Sequence, residues 1–163
     1  MLHRAITVSS GLAFTLALAA SAAAQVNPRG EAKVSLAGKK IVVEYGRPSL
    51  KGRDMLGQAA VGQEWRMGAD SATTLNTAAT LGFGGTQVPP GEYTLKARKV
   101  SDTDWVLKVE KSEGNAVAEV PLQSSPLDKS VEEFTIDLSE DKGQGVFRMS
   151  WGNRALSTRF TAK

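Results

Sequence analysis

Residues 92–99, E-Y-T-L-K-A-R-K, and 104–111, D-W-V-L-K-V-E-K, decide the fold. In the first, Tyr93, Leu95 and Ala97 alternate with Thr94, Lys96 and Arg98. In the second, Trp105, Leu107 and Val109 alternate with Lys108 and Glu110. A period of two with one apolar and one charged face is the pattern of a strand that covers a core on one side and meets water on the other. It predicts Lys108 and Glu110 on the face away from the core.

The same device extends in both directions along the chain. In K-K-I-V-V-E-Y-G-R, residues 39–47, Ile41, Val43 and Tyr45 share a face opposite Glu44. Toward the C-terminus, Phe134, Ile136 and Leu138 alternate with Thr135 and Asp137, Phe147, Met149 and Trp151 alternate with Arg148 and Ser150, and Leu156 and Phe160 close the series. Val88-Pro89-Pro90-Gly91 marks a sharp turn, and Gly152-Asn153 predicts a tight hairpin, because both residues tolerate positive φ. Tyr93, just after the Pro-Pro-Gly turn, reads as a corner tyrosine whose hydroxyl satisfies a backbone group. About eight to ten short strands with Gly and Pro punctuation, and no helical period after residue 25, predict an all-β, single-domain antiparallel β-sandwich of jelly-roll-like form. A small closed barrel is the alternative.

The chain has 163 residues, 41% hydrophobic and 23% charged, which suits one globular domain. It has no cysteine, and its one histidine is His3. Disulfide scaffolds, zinc fingers, cysteine nucleophiles and iron-sulfur clusters are thereby excluded. Its 20 basic residues are interleaved with 17 acidic ones and form no run longer than two, which argues against nucleic acid as a partner.

Met1–Ala24 has the order of a secretory signal: Arg4, a short apolar stretch interrupted by Thr7, Ser9, Ser10 and Thr15, then Ala22-Ala23-Ala24 before Gln25. The expectation is cleavage there, a mature domain over residues 25–163, a periplasmic or secreted location, and no transmembrane segment after cleavage.

From Gly46 to Ser71 the alternation lapses. A loop of this length inside a compact domain is more often functional than ornamental. It carries Arg47, Arg53, Trp65, Arg66 and Asp70, groups suited to planar anions, carboxylates or sugars. Arg47 continues the Ile41, Val43, Tyr45 face, so it leans inward at the rim of the sheet. The competing account is that these arginines tie the loop down by donating to carbonyls or pairing with Asp54, Glu64 and Asp70, with Trp65 as a plug.

The stretch Y-G-R-P-S-L-K-G-R-D-M-L-G followed by G-Q-E-W-R-M-G-A-D-S-A-T-T resembles the signature of the bacterial family of unknown function DUF2911. The blocks V-P-P-G-E-Y-T-L, D-W-V-L-K-V-E, E-E-F-T-I-D-L and M-S-W-G-N-R-A-L-S-T-R-F fall in that family's order, so the resemblance spans residues 32 to 161. It implies an exported bacterial protein with a β-rich domain and no assigned activity. The matching positions are Arg47, Pro48, Gly52, Arg53, Gly57, Gly62, Trp65, Arg66, Gly68, Ala69 and Thr73, and through this match Thr73 joins the candidate site. The chain departs in two places. Ala60-Val61-Gly62 stands where relatives carry a Pro-aromatic-Gly turn, and Asp70 stands where they carry asparagine.

Without a histidine, the mature domain cannot build a Ser-His-Asp triad, and it lacks the phosphate-loop and zinc-protease motifs. Only carboxylate pairs or Ser-Lys chemistry remain, with Glu64 and Asp70 as an imaginable hydrolase pair. Asp102-Thr103-Asp104 and Ser139-Glu140-Asp141 lack calcium-loop spacing. The reading is therefore a non-catalytic binding module with no metal or cofactor. Arg47, Arg53, Trp65, Arg66, Asp70 and Thr73 are its candidate contacts for a small anionic or carbohydrate-like ligand. The alternative is a structural or interaction domain docking an envelope protein.

Overall fold

The computed structural model describes residues 26–163. The expected signal segment, Met1–Ala24, and Gln25 lie outside the described residues. Ten strands form one antiparallel sheet, and among the described residues no helix forms. They are β1 (Arg29–Leu36), β2 (Lys39–Gly46), β3 (Glu64–Trp65), β4 (Thr73–Thr77), β5 (Leu81–Phe83), β6 (Thr86–Val88), β7 (Gly91–Lys99), β8 (Trp105–Ser112), β9 (Asn115–Asp141) and β10 (Gln144–Ala162). The order is β1-β2-β4-β7-β8-β9-β10-β5-β6, with β3 added to β7. Since the order begins at β1 and ends at β6, the sheet does not close into the barrel held as the alternative.

The two long strands fold the sheet over. The first part of β9 pairs with β8 as far as Leu122, while Gln123–Asp141 pairs with β10. The end of β10 then pairs with β5 at Gly82 and Leu81. Apolar faces from the two halves meet: Ile41, Val43, Leu75, Leu95, Leu107 and Val109 stand across from Leu81, Phe83, Leu138, Phe147 and Phe160, with about 10 Å³ left unfilled between them. That is interior packing at ordinary protein density. At one corner the chain just after β2 is stitched to β9. Leu50 N donates to the Glu132 carbonyl (2.9 Å), Phe134 N to that of Pro48 (2.9 Å), and Tyr45 Oη to that of Ile136 (3.1 Å).

Two expectations are corrected. Gly152-Asn153 makes no hairpin; β10 runs through it. Gly152 takes φ 63° at a break in register, with Ser150 opposite Thr135, Gly152 opposite Val131 and Arg154 opposite Pro126. Five residues of β9 are thus spent against two of β10, a large bulge beside a proline that has no N–H for the ladder. The second correction concerns Glu110, which is 1% exposed rather than solvated. Tyr93 takes its corner role, its hydroxyl donating to the Pro89 carbonyl at 2.8 Å.

Candidate functional site

The segment between β2 and β4 reaches its place in three steps. Residues 47–50 run along β9, including a bridge between Ser49 and Glu133. Met55–Gln63 then arches over the ends of β7 and β8, anchored by Lys99. This lysine sits at a core-side position of β7, is only 5% exposed, and donates its ammonium to the carbonyls of Ala59 (3.0 Å) and Gly57 (3.4 Å). Backbone bonds from Gly62 N to Lys99 O (2.8 Å) and from Lys99 N to Gln63 O (3.3 Å) lead into β3, where Trp65 pairs with Ala97. Residues 66–70 finally turn back onto β2, with Met67 and Asp70 at positive φ. A Cβ on Gly46 would lie 2.1 Å from the Ala69 carbonyl oxygen, so only glycine permits this return.

The arch roofs a cavity of about 230 Å³. All three tryptophans of the chain line it, Trp65 from β3, Trp105 from the start of β8 and Trp151 from β10, together with Met55, Gln58 and Gln63 of the arch. Trp65 and Trp151 are stacked, with centroids 5.4 Å apart and planes 14° apart, and Phe134 meets both edge-on, at 4.9 Å and 5.6 Å. Trp151 Nε1 donates to the Glu132 carbonyl (3.2 Å), fixing its ring. The lining contains two side-chain amides and no charged group. It is a preformed aromatic slot with a few hydrogen-bonding groups, the usual make-up of a small-molecule site.

The candidate arginines do not converge on it. Arg47 turns inward as its parity predicts and binds β9: its guanidinium lies 3.1 Å from the Glu133 carboxylate and donates to Phe134 O and Thr135 Oγ1, both at 3.4 Å. Arg53 donates Nε to Leu50 O (3.1 Å) beside a separate hollow. Arg66 is exposed, donates to the Asp70 carbonyl (3.0 Å), and shares an open depression with Glu64, Trp65 and Lys96. Asp70 Oδ2 accepts from Asn27 N (2.8 Å) and Asn27 Nδ2 (3.3 Å). Thr73 is fully buried, its hydroxyl donating to Met67 O (2.6 Å). Of the six, Trp65 alone lines the aromatic cavity.

Around the outside of β7 and β8 lies a charge cluster that explains the burial of Glu110. Lys96 Nζ stands 2.9 Å and Lys108 Nζ 3.3 Å from its two oxygens. Among the described residues, neither oxygen has a partner other than these two ammoniums. Burial pushes the Glu110 pKa up, but the two lysines outweigh it and hold the carboxyl below its ordinary value. Lys108 is raised, first by its hydrogen bond to Glu64 and against the opposing effect of burial. Glu64, imagined from sequence as half of an acid pair, is therefore engaged with lysines, and Asp70 with Asn27.

Sequence reading did not single out Trp105, Trp151, Gln58 or Gln63 as site residues. The available signal was that each of two inward-facing tryptophans sits at a break in its strand, Trp105 as the first residue of β8 and Trp151 beside Gly152. No curated protein and no solved structure matches the chain. The sequence profile of a family described as protein of unknown function (DUF2911) matches residues 27–160, nearly the whole described chain, and the protein belongs to that family.

Proposed function

We propose that this is an exported, non-catalytic binding module whose ligand-holding element is the tryptophan-lined cavity under the 55–63 arch. The observation that carries the reading is that every tryptophan of the chain lines one small pocket. Indole faces suit the C–H faces of a sugar or another saturated ring, and the amides of Gln58 and Gln63 suit its hydroxyls. Because the lining is uncharged, the reading narrows to a neutral, sugar-like ligand. At about 230 Å³ the cavity is below the usual range for drug-sized ligands, which favours a single ring. A docking role for this face has less support. The large apolar side chains exposed among the described residues are Val26, Val61 and Val100, too few for a broad patch.

Intrinsic fluorescence tests the reading, since all emission from tryptophan arises at the pocket. Titration with N-acetylglucosamine, glucose and galactose should give a saturable change with at least one sugar, insensitive to salt and weakened in Gln63→Ala. No response to any neutral sugar would overturn it. Export is tested separately, by N-terminal sequencing of protein recovered outside the cytoplasm, with Gln25 as the expected first residue.

A further inference from the structure

A second hollow of about 390 Å³ lies between the turn after β2, the bulge of β9 and the Gly152 region of β10. Four charged side chains line it: Arg53 and Arg154, Asp54 and Glu132. Opposite charges crowded on a protein surface ordinarily pair. Here, among the described residues, none of the four stands within 4.0 Å of an opposite charge.

Each is instead held by one bond to its own scaffold. Arg53 Nε donates to Leu50 O (3.1 Å) and Arg154 Nη1 to Ser124 Oγ (2.8 Å). Asp54 Oδ1 accepts from Gly57 N (2.9 Å), and Glu132 Oε1 accepts from Lys51 N (3.0 Å). Those bonds orient the groups without using them up. Both Nη atoms of Arg53, Nη2 of Arg154, Oδ2 of Asp54 and Oε2 of Glu132 have no protein partner among the described residues. Arg53, Asp54 and Glu132 are exposed and Arg154 half-buried, so the spare donors and acceptors meet water in the free protein, and the one bond each group keeps lowers the cost of ordering it around a ligand.

The charge balance selects the ligand. A simple anion seated on the two arginines would lie against two carboxylates, and a simple cation on the carboxylates would lie against two guanidiniums. A molecule carrying both signs satisfies all four. We propose that this hollow, separate from the tryptophan cavity, binds a small zwitterion of the amino-acid or short-peptide kind. Its carboxylate meets Arg53 and Arg154, and its ammonium meets Asp54 and Glu132.

Amide NMR shifts of the labelled protein, followed during titration with four probes, test this. Glycine and glycylglycine carry both charges, N-acetylglycine only the negative and glycinamide only the positive. The expected result is saturable shifts at residues 52–54, 130–132 and 152–154 with glycine or glycylglycine, the tighter of the two separating a free amino acid from a peptide. The singly charged probes should bind at least about tenfold more weakly, the equivalent of one lost charged hydrogen bond, and the Trp105 indole should not move. Arg154→Gln should weaken the zwitterion by about tenfold, and Glu132→Gln should weaken it while strengthening N-acetylglycine, a reversal that a structural role would not produce. Should Arg154→Gln lose its folded spectrum, Arg53→Gln and Glu132→Gln carry the test. Equal affinity for N-acetylglycine and glycylglycine, or no saturable shift with any probe, would overturn the proposal and leave the tryptophan-pocket reading untouched.

Discussion

Trp65 lies almost parallel to Trp151, with ring centroids 5.4 Å apart and planes 14° apart. One ring comes from a two-residue strand at the end of a long connection and the other from the last strand of the chain, so their stacking fixes the connection to the far layer of the fold. Trp65 is half-buried, and its removal forfeits both the stack and the edge contact with Phe134. Trp65→Ala should cost about 2 to 3 kcal/mol, below the cost of a fully buried tryptophan, and Trp65→Phe about half of that. Urea melts give the stability, and loss of near-ultraviolet circular dichroism reports the broken stack.

The arginines of the same connection should separate by role. Arg47 bridges to Glu133, but the two side chains are 32% and 43% exposed, so water screens the pair. Arg47→Ala is expected to cost about 1 kcal/mol, mostly through lost contacts with the Phe134 carbonyl and Thr135. Exposed Arg66 has one bond, to the Asp70 carbonyl, and Arg66→Ala should stay within about 0.5 kcal/mol. Parallel denaturant melts decide, and equal large losses in both variants would show that the whole segment is scaffolding.

How far these features were legible in sequence depends on the interaction that sets each one. Strand identity was readable because the period of two at Tyr93–Ala97 and Trp105–Val109 is local, and the same parity correctly turned Arg47 inward. Gly152 was misread because a positive φ serves a hairpin and a bulge equally well. What decides between them is Pro126 on β9, a partner known only once the strands are paired. Glu110 is buried although its parity points outward, because lysines from two strands close over it. The aromatic cavity was hidden for a related reason. Alternation marks Trp105 and Trp151 as inward, but their meeting with Trp65 follows from the folding-over of β9 and β10 and from the anchoring of the arch.

That anchoring is itself testable. Lys99 buries its ammonium against two carbonyls of the arch, with no carboxylate within 4.0 Å among the described residues. Lys99→Met keeps the length of the side chain but frees the carbonyls of Gly57 and Ala59, which can turn to water. The expected cost is about 1 to 2 kcal/mol globally. Hydrogen exchange should accelerate at Gly57–Gln63 more than in β7 or β8, since the arch would open without the sheet melting. Uniform acceleration over the whole sheet would mean that Lys99 supports the core rather than the roof of the cavity.

The cluster on the outer face predicts a pH dependence whose sign is fixed. Glu110 has its pKa held below the ordinary value in the folded state, despite burial, by Lys96 and Lys108. Its contribution to stability is therefore complete above the ordinary carboxylate range and is lost as pH falls through the lowered folded value. Lys108, raised through its bond to Glu64, works in the opposite direction: its contribution is complete below the ordinary lysine range and fades as pH rises through the raised folded value. Glu110→Gln removes the charge and leaves two ammoniums facing an amide. It should cost about 2 to 3 kcal/mol near neutrality, less than a fully enclosed pair because Lys96 keeps contact with water and Lys108 keeps Glu64. The gap between wild type and variant should be flat around neutrality and shrink as pH falls below the ordinary carboxylate range and through the lowered folded value, where the wild-type carboxyl takes up its proton. Urea unfolding across that range measures it, and a gap that stays constant into acid would show that Glu110 contributes through packing and not through its charge.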